Sequence, residues 1–145
     1  VRSRRQRQMC IRDRSYGGDF DRSNNPFEVG LDWMIDLNQE DDFIGKEALR
    51  EVKFKGPTKK LMGAEIEGDP INFSNEEHLP VIVDGKKIGS MNTMTYSPRL
   101  DKNISYVFLD VKYAKVDQEI VISLPDKDLK AKVVDIPWLK RAKKN

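Results

Sequence analysis

From Leu61 to Ile136 the chain is broken into short apolar runs, each closed by turn-forming residues. Leu61–Glu67 alternates loosely, Leu79–Val83 is apolar, and Ser105–Val111, Glu119–Leu124 and Leu129–Ile136 repeat the pattern. Pro98, Asp101, Asn103, Pro125 and Asp126 separate them. Runs this short are too brief for helices and are rich in branched and aromatic residues, which suit a pleated sheet. The pair Asp84-Gly85 lies between apolar runs and supplies the positive φ angles that a tight hairpin needs. Pro80–Met91 is therefore read as a β-hairpin. Five or more strands in succession predict a mainly β (α+β) domain, a small antiparallel barrel with one helix.

The helix is expected over Ile44–Phe54, where Ile44, Ala48, Leu49 and Val52 share one face. Asp41 or Asp42 is placed to cap its start, and Gly56-Pro57 to stop it. The apolar face is expected to pack on the barrel, with Leu49 at its centre. Upstream, Ser15–Pro26 is dense in Gly, Asp, Ser and Asn and reads as loop. Phe27–Leu37 mixes aromatic and branched residues and is expected to enter a strand near Trp33–Leu37.

Charge divides the chain unevenly. Residues 1–14 hold six arginines, one acid and no lysine. The remaining 131 residues hold 16 lysines and four arginines, with 20 basic against 23 acidic side chains. The formal net charge of +2 therefore hides a body of about −3. Such a break marks residues 1–14 as non-native or disordered, and RQRQMCIRDR resembles a translated sequencing-adapter tail. On that reading the natural chain continued upstream. A nucleic-acid or membrane-binding arm is the lesser alternative, since no aromatics interleave with the arginines.

Composition also limits the chemistry. With Cys10 as the one cysteine and His78 as the one histidine, neither an internal disulfide nor a Cys/His zinc cluster can be built. A Ser-His-Asp or Cys-His triad would have to use His78. No apolar run reaches the roughly 18 residues that a membrane-spanning helix needs. A cytoplasmic protein without membrane or nucleic-acid partners is expected. Glu76-Glu77-His78 lacks a third converging ligand, so no metal site is assigned. Glu40, Asp41 and Asp42 read as a capping turn. Lys59-Lys60 and Lys86-Lys87 read as surface pairs that could meet an anionic ligand tail. Trp33, beside Asp32 and Asp36, is either a core anchor or a stacking plate for a flat ring.

Three stretches resemble one family. Tyr16-Gly17-Gly18-Asp19, followed by Asn25-Pro26-Phe27-Glu28-Val29-Gly30-Leu31-Asp32-Trp33, resembles the YGxD…TPxExGLxW segment of the glycine-cleavage T-protein (aminomethyltransferase) family. Asp42–Leu49 matches its DFIGKEAL helix. Gly85–Gly89 and Tyr96-Ser97-Pro98-Arg99-Leu100 resemble its G-x-x-IG…SPxL stretch. Asn25–Glu28, Gly56–Leu61 and Asp135–Trp138 look somewhat closer to the dimethylsulfoniopropionate demethylase branch.

The resemblance covers about the final third of a family member. It implies the end of a folate-binding lobe over 15–54 and a C-terminal β-barrel over 55–145. It further implies tetrahydrofolate as cofactor, a small one-carbon donor, and a lipoyl carrier protein as partner if the chain is of the glycine-cleavage type. Trp33 matches the tryptophan that lines the folate opening, whereas Glu28 and Gly30 are expected to shape the turn into the barrel. The family's catalytic aspartate lies upstream, so no catalytic residue is assigned here and no turnover is expected from this piece alone. A non-catalytic folate-binding or interaction module is the alternative.

Overall fold

A computed structural model of the chain describes residues 16–72 and 78–138. Six strands, β1 (Lys59–Ile66), β2 (Leu79–Val83), β3 (Lys86–Ser97), β4 (Lys102–Asp110), β5 (Glu119–Ser123) and β6 (Asp128–Val134), follow one helix, α1 (Lys46–Lys55). The strands close an antiparallel barrel in the order β1-β4-β3-β2-β5-β6. This is the mainly β barrel expected from the turn spacing. Closure removes every sheet edge and gives each backbone ladder two neighbours.

The barrel interior is filled by Met62, Val81, Ile88, Met91, Met94, Val107, Leu109, Ile122 and Val133, all at or below 3% exposure. The hairpin turns at Asp84 (φ 50) and Gly85 (φ 73), as the sequence required. Strand β3 bends around the barrel through irregularities opposite Val81/Ile82 and between Met91 and Met94. Each inserts extra residues against the partner and tightens the local twist. Ile88, Met91 and Met94 thus all point inward at a spacing of three.

A second, smaller core lies on the outer face of β1 and β4. Val29, Leu61, Ile104, Tyr106 and Phe108 form its buried centre, and Phe20, Leu31, Leu100, Ile136 and Trp138 pack around it. Trp138 stacks obliquely on Tyr106 with ring centroids 5.1 Å apart. Strand β4 is therefore covered on both sides and buried from Asn103 to Leu109. Asn103 closes one barrel end: its Oδ1 accepts from Ile71 N (2.9 Å), and its Nδ2 donates to Asp69 O (2.9 Å).

Two local expectations are corrected. The segment near Trp33 is a single 3-10 turn (Asp32–Met34), not a strand. Helix α1 starts at Lys46 behind Gly45 (φ 92), without a side-chain cap from Asp41 or Asp42. Asp42 Oδ1 instead accepts from Phe43 N at 2.9 Å.

The helix face also differs from the expectation. Ile44 and Ala48 are exposed, Leu49 and Val52 are half-buried, and the helix packs broadly on no strand. Leu49→Ala should accordingly cost about 1–2 kcal/mol, below the 2–5 kcal/mol of a fully buried leucine. Chemical denaturation alongside Leu109→Ala measures the difference. Equal losses from the two variants would restore Leu49 as a core residue. Residues 1–14, Glu76, Glu77 and the basic C-terminal end lie outside the described residues.

Candidate functional site

The segment before the helix is fixed from below. Asn25 Oδ1 accepts from Phe27 N and Glu28 N, both at 3.1 Å, while Glu28 Oε2 accepts from Asn25 N at 3.2 Å. This reciprocal exchange is a capping box, with Pro26 pre-set for the turn. Glu28 O then accepts from Leu61 N at 2.8 Å, tying the turn to β1. Gly30 takes φ 65, which an L side chain resists. Val29 is buried and Leu31 half-buried in the second core, so the chain emerges at Asp32 in a fixed direction.

There the 3-10 turn lifts Trp33 and Met34 outward, 63% and 65% exposed. Trp33 is thus not a core residue of the described structure. The loop that follows is held from the other side by the helix. Lys46, 6% exposed, donates from Nζ to Gln39 O (2.7 Å) and Asp41 O (3.0 Å). Arg50 donates to Leu37 O at 3.1 Å. The ammonium satisfies carbonyls that a helix start cannot reach, and a buried charge persists only with such partners. Lys46 and Arg50 therefore position the loop between Trp33 and α1. Their sequence signal is faint, since both read as ordinary helix-surface cations.

A cleft of about 250 Å³ runs between Gly17–Asn24 and the barrel wall at Lys59, His78, Ser90, Asn92 and Phe108. Asn92 Nδ2 donates to Asp19 O at 2.7 Å and fastens the loop there. The Ser23 hydroxyl and amide donate to Asp21 Oδ1 at 2.6 and 2.8 Å. These bonds hold the Asp21 carboxyl below its usual range, and His78 adds a smaller pull in the same direction. At the end of β3, Tyr96 donates its hydroxyl to Asp101, which raises the phenol above its ordinary value.

Two of the three matched stretches converge, and the Asp42–Leu49 helix is not among them. Phe20, Val29 and Leu31 from the first, Leu100 from the last, and Ile136 and Trp138 from the tail meet around Tyr106. The Asp21–His78 cleft shares Phe20 and Phe108 with this core, and Trp33 follows Leu31 by two residues. Among the described residues, no three His, Cys, Asp or Glu side chains come together as metal ligands, and no helix is long and apolar enough to cross a membrane.

Residues 59–140 match the family model described as the glycine cleavage T-protein C-terminal barrel domain. The chain belongs to the glycine cleavage T-protein family. Curated relatives agree: an aminomethyltransferase of Bacillus mycoides is 40% identical over 130 residues, covering 88% of this chain and 34% of that protein. One from Bacillus cytotoxicus gives the same identity and coverage. The crystal structure of glycine cleavage system aminomethyltransferase T from Bartonella henselae superposes with a TM-score of 0.82 at 18% identity, over 92% of this chain and 37% of that one. The last match shows the fold of this T-protein family barrel. The chain spans about a third of the length of the curated relatives it matches.

Proposed function

We propose that this chain works as the C-terminal third of a tetrahydrofolate-dependent aminomethyltransferase. The observation that carries the reading is the unfinished surface of residues 33–54. The barrel closes on itself, whereas Trp33, Met34, Ile44 (105% exposed) and Phe54 (92% exposed) stand in solvent. Large apolar side chains gathered on one segment mark a surface made to be covered. Relatives of about three times this length supply further chain that could cover it. On this reading residues 15–54 finish a folate-binding lobe and 55–145 form the terminal barrel.

Tetrahydrofolate fits this surface at one point. Trp33 presents a 63% exposed indole on a turn that the Asn25–Glu28 exchange precedes and that a loop held by Lys46 and Arg50 follows. A flat heteroaromatic ring stacks well on such a plane. The tetrahydrofolate, when bound, accepts the one-carbon unit. This chain's own contribution is to wall in and orient the ring, which places the acceptor against a donor brought by a lipoyl carrier protein. Proton handling belongs to residues of the upstream lobes.

A hybrid enzyme tests the reading. This chain replaces the 130-residue stretch that it matches in the Bacillus mycoides aminomethyltransferase. The hybrid should show tetrahydrofolate-dependent turnover, and the 145-residue chain alone should show none. A folded hybrid that binds tetrahydrofolate without turnover would mark a non-catalytic folate-binding member instead. A folded hybrid that does neither ends the proposal.

A further inference from the structure

Helix α1 opens on Lys46, at the end where the helix dipole disfavours a cation. The residue is nevertheless buried, and its Nζ turns back over the preceding loop to donate to Gln39 O at 2.7 Å and Asp41 O at 3.0 Å. One turn further along, Arg50 donates to Leu37 O at 3.1 Å. Three alternate carbonyls, at 37, 39 and 41, are therefore taken by two side-chain cations of one helix. The same loop carries four carboxylates in the seven residues 36–42, and all four of those residues are exposed. Asp36 Oδ1 accepts from Asn38 N and Asp42 Oδ1 from Phe43 N, both at 2.9 Å. The loop thus turns two of its carbonyls onto a buried ammonium and leaves its acidic residues outside.

Such a loop is a cation site whose cation is built in. An ammonium is a compact charge with three donors, and its bonds to carbonyl oxygens are charge-assisted. Without it, two carbonyls lose their donor and the four carboxylates lose the nearest charge that offsets their mutual repulsion. A buried lysine at the unfavourable end of a helix breaks a local rule, and such breaks collect where a fold serves a function. The loop also bears on Trp33. Leu31 packs on the second core before the 3-10 turn, and Leu37, 6% exposed, is buried after it. Residues 32–36 span between these two anchors. Arg50 ties the second anchor, and Lys46 ties the carbonyls just beyond it.

We infer that Lys46 is the resident cation of a carbonyl-lined loop and a positioning residue for the tetrahydrofolate ring, acting through the turn that bears Trp33. The inference rests on the functional reading above, in which that indole walls in the ring. Lys46 takes no part in the chemistry. Its ammonium is spent on backbone carbonyls, so its effect falls on where the ring binds rather than on turnover. The loop requires the charge of the side chain and not only its length.

The experiment uses the hybrid enzyme described above. Lys46→Met keeps most of the side chain's length and removes its charge. It should raise KM for tetrahydrofolate by about three- to tenfold and leave kcat within about twofold, the pattern of lost binding rather than lost chemistry. In a Trp33→Ala background the same change should add little, because the group through which it acts is gone. Lys46→Ala should behave like Lys46→Met, and n-propylammonium, which replaces the deleted atoms, should restore KM. Uncharged 1-propanol, or sodium chloride at equal ionic strength, should not. Lys53→Met, which removes an exposed cation of the same helix, should leave KM unchanged. Where Lys46→Met does not fold, Arg50→Met replaces it, releases Leu37 O, and should raise KM about twofold.

A second readout needs no folate. In the 145-residue chain, Trp138→Phe leaves Trp33 as the one tryptophan. Its fluorescence anisotropy should fall with Lys46→Met, and should recover in Lys46→Ala with n-propylammonium. An unchanged KM in a folded Lys46→Met hybrid that binds tetrahydrofolate overturns the inference alone. So does an equal rise of KM in the Trp33→Ala background, which would show Lys46 acting elsewhere. Rescue by 1-propanol as complete as by n-propylammonium also overturns it, since Lys46 would then only fill space. A hybrid that never binds tetrahydrofolate overturns the functional reading and the positioning role with it. The anisotropy then decides the built-in cation by itself, and a value unmoved by Lys46→Met overturns that as well.

Discussion

Gly89→Ala should abolish the cooperative unfolding transition of this protein or cost at least about 4 kcal/mol, a size reached only through a specific clash. Gly89 lies in β3 beside the irregularity at Val81/Ile82, where the strand bends across β4. A Cβ there would sit 2.0 Å from Phe108 O and 3.1 Å from Leu109 Cα. Both are backbone atoms of a strand buried on both faces, so nothing can step aside without breaking the β3–β4 ladder. Gly63 is the contrast. Its added Cβ would meet Ile136 Cγ2 at 2.8 Å and the Trp138 ring at 2.9 Å, and both are side chains at the edge of the second core. Gly63→Ala should cost about 1–3 kcal/mol by overpacking and keep a cooperative transition. Thermal and denaturant melts of the two variants measure the gap. A Gly89→Ala protein as stable as Gly63→Ala would mean that β3 does not approach β4 this closely.

That clash could not be read from the sequence, although much of the barrel could. The Asp84-Gly85 turn was legible because few residue pairs accept two positive φ angles in succession. Strand β4 was legible as a continuous apolar run, and the structure explains the continuity by covering both of its faces. Strand β3 was legible only at its hairpin end. Its inward residues recur at three, through the irregular pairing, and no strand template has that period. Barrel closure between β1 and β6 joins residues some 70 positions apart and leaves no local trace.

The site divides in the same way. The strand expected near Trp33 failed because branched and aromatic residues signal burial as readily as pleating. Here Val29 and Leu31 are drawn into the second core, and the chain turns immediately afterwards. The helix face was misread for a related reason. Apolar spacing shows that a face exists, not what covers it, and in this chain Ile44 meets no barrel strand. Trp33 itself was singled out by resemblance to a family segment. Its residue type alone favoured a core anchor. The backbone carbonyls held by Lys46 and Arg50 became visible only once the loop was placed.

In the hybrid enzyme, Trp33→Ala should weaken tetrahydrofolate binding by about 1–3 kcal/mol, the range for losing a stacked aromatic partner. That is roughly 5- to 150-fold in Kd. The same change in the 145-residue chain should move stability by no more than about 0.5 kcal/mol, because the side chain is 63% exposed there. These two expectations separate a ligand wall from a structural residue. A core tryptophan would lose stability in both proteins and affinity only through misfolding. Trp33→Phe should recover much of the affinity, since a ring remains beyond the turn that the Asn25–Glu28 exchange holds. Glu28→Ala should behave differently again. It removes the acceptor for Asn25 N without touching the indole, so affinity should fall as the direction of the turn relaxes, and Trp33→Ala should then cost less in the double variant than alone. Folate titrations of the parent hybrid, the three single variants and the Glu28→Ala/Trp33→Ala double variant decide it, with circular dichroism confirming the fold. If Trp33→Ala folds normally and binds tetrahydrofolate as tightly as the parent, the indole does not line the folate opening, and the exposed turn at Asp32–Met34 serves only as cover for its neighbouring lobe.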